Sequence, residues 1–145
     1  MGPLSAHADQ VTTEYDFERP AMETVRLSGE VFDRIVMPGT PNAGRTGQPA
    51  LPARGADILI PYGHEVVSIE IVTGEKVLIG SGYNIEPNLE PIPLSSPPGT
   101  VVYPEPDAAI YSSDLPFPEG NFEQVGVYGF RGFQILTLRL QPVQY

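Results

Sequence analysis

Gly47-Gln-Pro-Ala-Leu-Pro52, followed shortly by Asp57-Ile-Leu-Ile-Pro-Tyr-Gly63, sets the character of this chain. Proline lacks an amide donor and fixes its own φ, so the first stretch reads as rigid, extended backbone leading into a strand. Ile58, Leu59 and Ile60 form a short buried strand, and Pro61-Tyr-Gly63 ends it. Neither stretch pairs a nucleophile with a base, spaces metal ligands or builds a phosphate loop. Their role is scaffolding.

Working outward, residues 65–72 alternate, with Val67, Ile69 and Ile71 on one face and Ser68 and Glu70 on the other. Thr73-Gly-Glu75 supplies a tight connection and residues 76–79 return, which predicts a β-hairpin. Towards the N-terminus, Val25 and Leu27 alternate with polar neighbours, Ser28-Gly29 offers a turn, and residues 31–37 form a second strand ended by Pro38-Gly39. Residues 38–56 read as a long Pro/Gly loop of the kind that packs down or carries a function. Residues 86–120 form a second irregular region, whose closely spaced prolines favour extended or edge-strand backbone. Residues 124–130 and 133–140 then read as neighbouring strands joined at Arg131-Gly132, with Leu136, Leu138 and Leu140 marking a core face.

With 17 Pro and 15 Gly in 145 residues, the chain is too interrupted for long helices and too irregular for collagen. Short strands between turns predict a single all-β domain, a β-sandwich or jelly-roll-like fold of two antiparallel sheets with long Pro/Gly-rich loops. Residues 1–22 lack apolar periodicity and read as a flexible or loosely docked arm, leaving residues 23–145 as the folded module. Met1-Gly-Pro-Leu-Ser5 has the look of an added leader.

The net charge of −10 disfavours nucleic acid and anionic membrane as partners, because phosphates attract clustered lysine and arginine. The absence of cysteine excludes disulfides, thiolate metal sites and a cysteine nucleophile within the chain. No apolar run approaches the length needed to span a bilayer as a helix, and the polar N-terminus holds no signal-peptide core.

Candidate chemistry is sparse. His64 and His7 lie far apart, and His64-Glu65 has no positioned acid–base partner, so a turn histidine is the simpler reading. The carboxylates Glu86, Glu90, Glu105, Asp107, Asp114, Glu119 and Glu123 follow no calcium-loop register. They lie in a stretch, residues 77–130, that contains no lysine or arginine. That region is either a solvated acidic loop or a partner surface pre-ordered by proline. Tyr103, Tyr111, Phe117, Phe122, Tyr128, Phe130 and Phe133 read as core and inter-sheet packing rather than a ligand groove. A carbohydrate-active jelly roll would need two convergent carboxylates, which nothing in the spacing supplies.

The ordered set of pieces resembles the propeptide domain of the C25 cysteine peptidases, the gingipain family. The pieces are Gly47-Gln-Pro-Ala-Leu-Pro52, Ile58-Leu-Ile-Pro61-x-Gly63, the strand at residues 66–72, Ile85-Glu-Pro87, Gly126-x-x-Gly-x-x-Gly132 and Pro142-Val-Gln-Tyr145, across about residues 25–145. The resemblance implies a non-catalytic β-sandwich prodomain of a secreted caspase-like cysteine peptidase. Such a domain assists folding and keeps its cognate peptidase domain latent by covering the active-site cleft. The resemblance further implies bacterial-type export, with the signal peptide outside this chain; the residue spacing itself calls for no cofactor or metal. The familiar members favour Arg or Lys and present a matching basic residue, which residues 86–120 lack. The inhibitory-loop candidates are therefore Asp107 and Asp114 in that region, Lys76 at the hairpin tip, or Arg54 in the first loop. The alternative reading is a non-catalytic structural or interaction module of a secreted multidomain protein.

Overall fold

The computed structural model describes residues 9–145; the first eight residues of the expected arm, with His7 and the suspected leader, lie outside them. The described chain is built from antiparallel strands with one four-residue helix. β1 (Ala21–Leu27) and β2 (Glu30–Val36) form a hairpin in full register from Ala21↔Val36 to Leu27↔Glu30. Its turn residues Ser28 and Gly29 have φ of 49° and 86°, the two left-handed positions that match the twist of a tight hairpin. β1 begins at Ala21, so the last two residues of the expected arm are strand.

The prolines of the opening stretch turn out to be pairing residues. Asp33 of β2 exchanges backbone bonds with residues 84–86, donating to the Asn84 carbonyl at 2.8 Å and accepting from the Glu86 amide at 2.9 Å. On the other side of this segment Ala50 N–H donates to Glu86 O at 2.9 Å and Asn88 N–H to Gln48 O at 2.8 Å, bracketing the antiparallel bridge Pro49↔Pro87. Ile85-Glu-Pro87 is thus inserted between β2 and residues 47–50. Each proline sits at the non-bonded position of the bridge, where a missing N–H costs nothing. Ile85, Pro49 and Pro52 are among the most fully buried side chains. A minimal pair, β3 (Asn42–Ala43) with β4 (Leu51–Pro52), closes the loop between. The expected long loop at residues 38–56 therefore packs down, and its last residues already belong to the next strand.

That strand is β5 (Arg54–Ile60), edge of a three-stranded sheet ordered β5-β7-β6, with β6 (Phe122–Phe130) and β7 (Phe133–Leu140). β6 and β7 meet in a hairpin whose turn residues Arg131 and Gly132 have φ of 48° and 83°. Ala56, Ile60, Leu136, Leu138 and Leu140 form one buried cluster, each large side chain contributing about 1.5–3 kcal/mol of apolar burial. Ile35, Met37, Leu51, Ile85 and Val143 form a second. Phe17, from the segment before β1, packs against both and joins them. The result is all-β and sandwich-like, with antiparallel pairing in three small sheets rather than two.

The expected hairpin at residues 65–79 is not formed: no residue there belongs to a strand. Val66 and Ile69 reach one cluster and Ile79 the other, while Val67, Val72, Val77 and Leu78 are largely exposed. A two-stranded hairpin is marginal unless one whole face is buried. Here the apolar residues divide between two clusters, so no single face drives pairing. From Glu70 onward the segment lines a concavity of about 1530 Å3 together with the pre-β1 residues and the C-terminal residues. Among the aromatics expected in the core, Tyr111, Phe117 and Phe122 are half-buried, but Tyr103, Tyr128, Phe130 and Phe133 are exposed. The hairpin tip of β6 and β7 projects beyond any covering layer.

Candidate functional site

Between Asn88 and Asp107 the chain makes a long excursion without secondary structure, and a single residue holds both ends. The Gly47 amide donates to Asn88 O at 3.0 Å, and the Gly47 carbonyl accepts from the Asp107 amide at 2.9 Å. Gly47 has φ of +84°, and a Cβ there would lie 3.2 Å from Glu105 O, so only glycine lets the excursion close onto this loop. Asn88 strengthens the near end: its Nδ2 donates towards Gln48 O at 3.0 Å and Pro49 O at 3.2 Å. Residues 89–106 therefore form a pinched loop on a rigid base, carrying six prolines and no basic residue.

Beneath the base, Glu86 accepts a two-point contact from Arg34, Nε to Oε1 at 2.5 Å and Nη2 to Oε2 at 2.9 Å. This hydrogen-bonded carboxylate holds the Arg34 guanidinium above its ordinary pKa. The Tyr111 hydroxyl donates to Ile85 O at 2.6 Å, and burial pushes its phenol above the usual tyrosine value, with the nearby Tyr145 and Glu86 adding to the shift. Glu86 is thus a structural anchor within a largely acidic stretch. Spacing alone did not distinguish it from its exposed neighbours.

The four residues singled out in the sequence are scattered. Asp107 caps α1 (Ala108–Tyr111), its Oδ1 accepting from Ala109 N–H at 3.0 Å, so its carboxylate is occupied at the loop base. Arg54 lies in β5 rather than in a loop, with its guanidinium 5.4 Å from the Tyr15 ring centroid. Lys76 is exposed, but no hairpin presents it; its Nζ donates to Gln144 Oε1 at 2.8 Å, tying residues 65–79 to the C-terminal residues. Asp114 is exposed beside Leu115, and among the described residues nothing engages its carboxylate. No two of these four come together.

His64 has a use the sequence did not reveal. Nδ1 lies 3.0 Å from Tyr62 O and Nε2 lies 2.7 Å from Asp9 Oδ2. Both partners are acceptors, so the imidazolium satisfies both contacts, and the bond to the Tyr62 carbonyl, followed by that to Asp9, raises the pKa. The ring links the segment before β1 to the turn after β5. Among the described residues no group of three or more metal-ligating side chains converges, and no helix is long and apolar enough to cross a membrane.

The Propeptide_C25 family model matches residues 4–145. Among solved structures, one reporting the zymogenic latency of gingipain K from Porphyromonas gingivalis is similar over 90% of this chain and 73% of that chain, with a TM-score of 0.68 and 26% identity. A complex of the RgpB pro- and mature domains from the same organism shares the fold: TM-score 0.62, 18% identity, 90% of this chain and 67% of that chain. No curated protein sequence is matched. Matched along almost its full length, this chain belongs to the Propeptide_C25 family, the non-catalytic prodomains of gingipain-type peptidases.

Proposed function

We propose that this chain keeps a caspase-like C25 peptidase domain of the same precursor latent by covering its active-site cleft, and assists that domain's folding. The observation that carries the reading is the family match across residues 4–145, together with the likeness to a structure describing gingipain K zymogenic latency. The geometry supports it: a steric inhibitor needs a projecting loop whose shape is fixed before binding, and residues 89–106 leave a base pinned at Gly47. The precursor is exported to the cell envelope or beyond. Residues 9–20 act as an arm on the module that follows, with Tyr15 and Phe17 packing onto the module's clusters. Of the four sequence candidates, Asp114 remains available for contact, whereas Asp107, Arg54 and Lys76 are engaged within the chain.

The test is inhibition. Adding this chain to the isolated peptidase domain of its precursor is expected to slow peptide hydrolysis at micromolar concentration or below. Unchanged hydrolysis at that concentration would overturn the reading.

A further inference from the structure

The residue best placed to enter a partner's cleft is none of the four charged candidates. Leu94 has a relative exposure of 107%, more than any other large apolar side chain among the described residues. Its backbone is nonetheless constrained. Pro91 and Pro93 precede it, Pro97 and Pro98 follow, and Ser96 N–H donates to Pro93 O at 3.0 Å, so Leu94 occupies the first central position of a closed turn. Beyond it, Thr100 donates from its amide to Pro97 O at 3.3 Å and from its hydroxyl to the same carbonyl at 2.5 Å. The turn sits within the excursion whose two ends are clamped on Gly47.

A solvent-directed leucine on a turn fixed by prolines is costly to leave in water and contributes nothing to its own core. Its full burial elsewhere is favourable, with little ordering entropy to offset it. Around it the loop is apolar, with Ile92, Val101, Val102 and Tyr103 partly exposed, and charged only at Glu90 and Glu105. An Arg- or Lys-selective pocket is built around buried acidic groups, which an uncharged leucine would leave unpaired. Tyr62 at 92%, Val67 and Val72 at 87% and Leu78 at 81% come next, but none of them lies on a proline-bracketed turn; Leu115 is 77% exposed.

We propose that Leu94 fills the specificity pocket of the cognate peptidase domain, and hence that this pocket is apolar and the enzyme cleaves after leucine-like residues. The proposal rests on the latency reading above and names the substrate class of that same site. It contains no chemical step, only occupancy of the pocket by an uncleaved turn.

The experiment has two arms. In the first, inhibition of the peptidase domain by the wild-type chain is compared with inhibition by Leu94→Asp, Leu115→Asp and Asp114→Asn, each checked for an unchanged thermal unfolding curve. Leu94→Asp is expected to raise the inhibition constant roughly thirty-fold or more, the effect of losing a central anchor, while the other two change it less than about three-fold. In the second, the free peptidase domain is profiled on short peptides bearing Leu, Lys, Arg or Asp before the scissile bond. Cleavage after Leu is expected to dominate, a readout independent of any variant. If the wild-type chain inhibits but Leu94→Asp inhibits equally, or if the enzyme prefers Lys, Arg or Asp, the proposal is overturned while the latency reading stands. If the wild-type chain does not inhibit, both fall.

Discussion

Glu86 and His64 show how a single side chain can fix the position of a loop. Glu86 is 8% exposed and takes both guanidinium contacts from Arg34, at the centre of the strand-like segment between β2 and residues 47–50. Replacing Glu86 by Gln leaves the arginine able to reach water, because its side chain is 41% exposed, and this limits the damage. The expected loss is about 1–2 kcal/mol, read as a lower urea midpoint at an unchanged slope. His64 adds a pH dependence with a definite sign. Its pKa is raised in the folded chain, so its link to Asp9 is fully present below the ordinary histidine value of 6.5 and is lost as pH rises through the raised value. An NMR titration should place the His64 pKa above 6.5, and Asp9→Asn should bring it down; an unshifted histidine would remove the latch.

At the scale of elements, the base of the excursion at residues 89–106 is the feature most open to test. Gly47→Ala combines a left-handed backbone with a Cβ pressed against Glu105 O. It is expected to cost about 1–2 kcal/mol and to release the excursion from its base. Its effect on inhibition should exceed its effect on stability, because the β5-β7-β6 sheet does not depend on this contact. A variant that loses stability but inhibits like the wild type would show that the clamp does not position the loop. Legibility also differed between elements. Hairpin β1-β2 and hairpin β6-β7 were readable from alternation plus turn residues because each closes on its immediate neighbour in sequence. Residues 65–79 carry the same local signal and form no strand. Alternation records which residues can share a face; whether that face is covered depends on the clusters it meets, and here Val66 and Ile69 meet one and Ile79 the other.

For the molecule as a whole, the consequence is uneven protection. The β5-β7-β6 sheet buries Leu136, Leu138 and Leu140, while residues 65–79 and 89–106 have few backbone partners. Hydrogen exchange should be slow in β7 and fast in both unpaired segments. Addition of the peptidase domain should slow exchange at residues 89–106 above all. Protection confined to the exposed β6-β7 tip would place the contact there instead.

The sequence by itself determined the all-β class, two hairpins with their turns, the core face of β7 and the family, since these rest on local pattern, turn chemistry and an ordered set of short motifs. Tertiary structure alone decided that residues 47–50 pair with residues 86–88, that Gly47 closes the excursion, and that Glu86, Asp107 and Arg54 are internal anchors. It also left Leu94 fully exposed within that excursion. The division follows from distance along the chain. Hydrogen bonds between residues 47 and 107, or 34 and 86, leave no period in the sequence, and exposure is a property of what fails to pack over a residue.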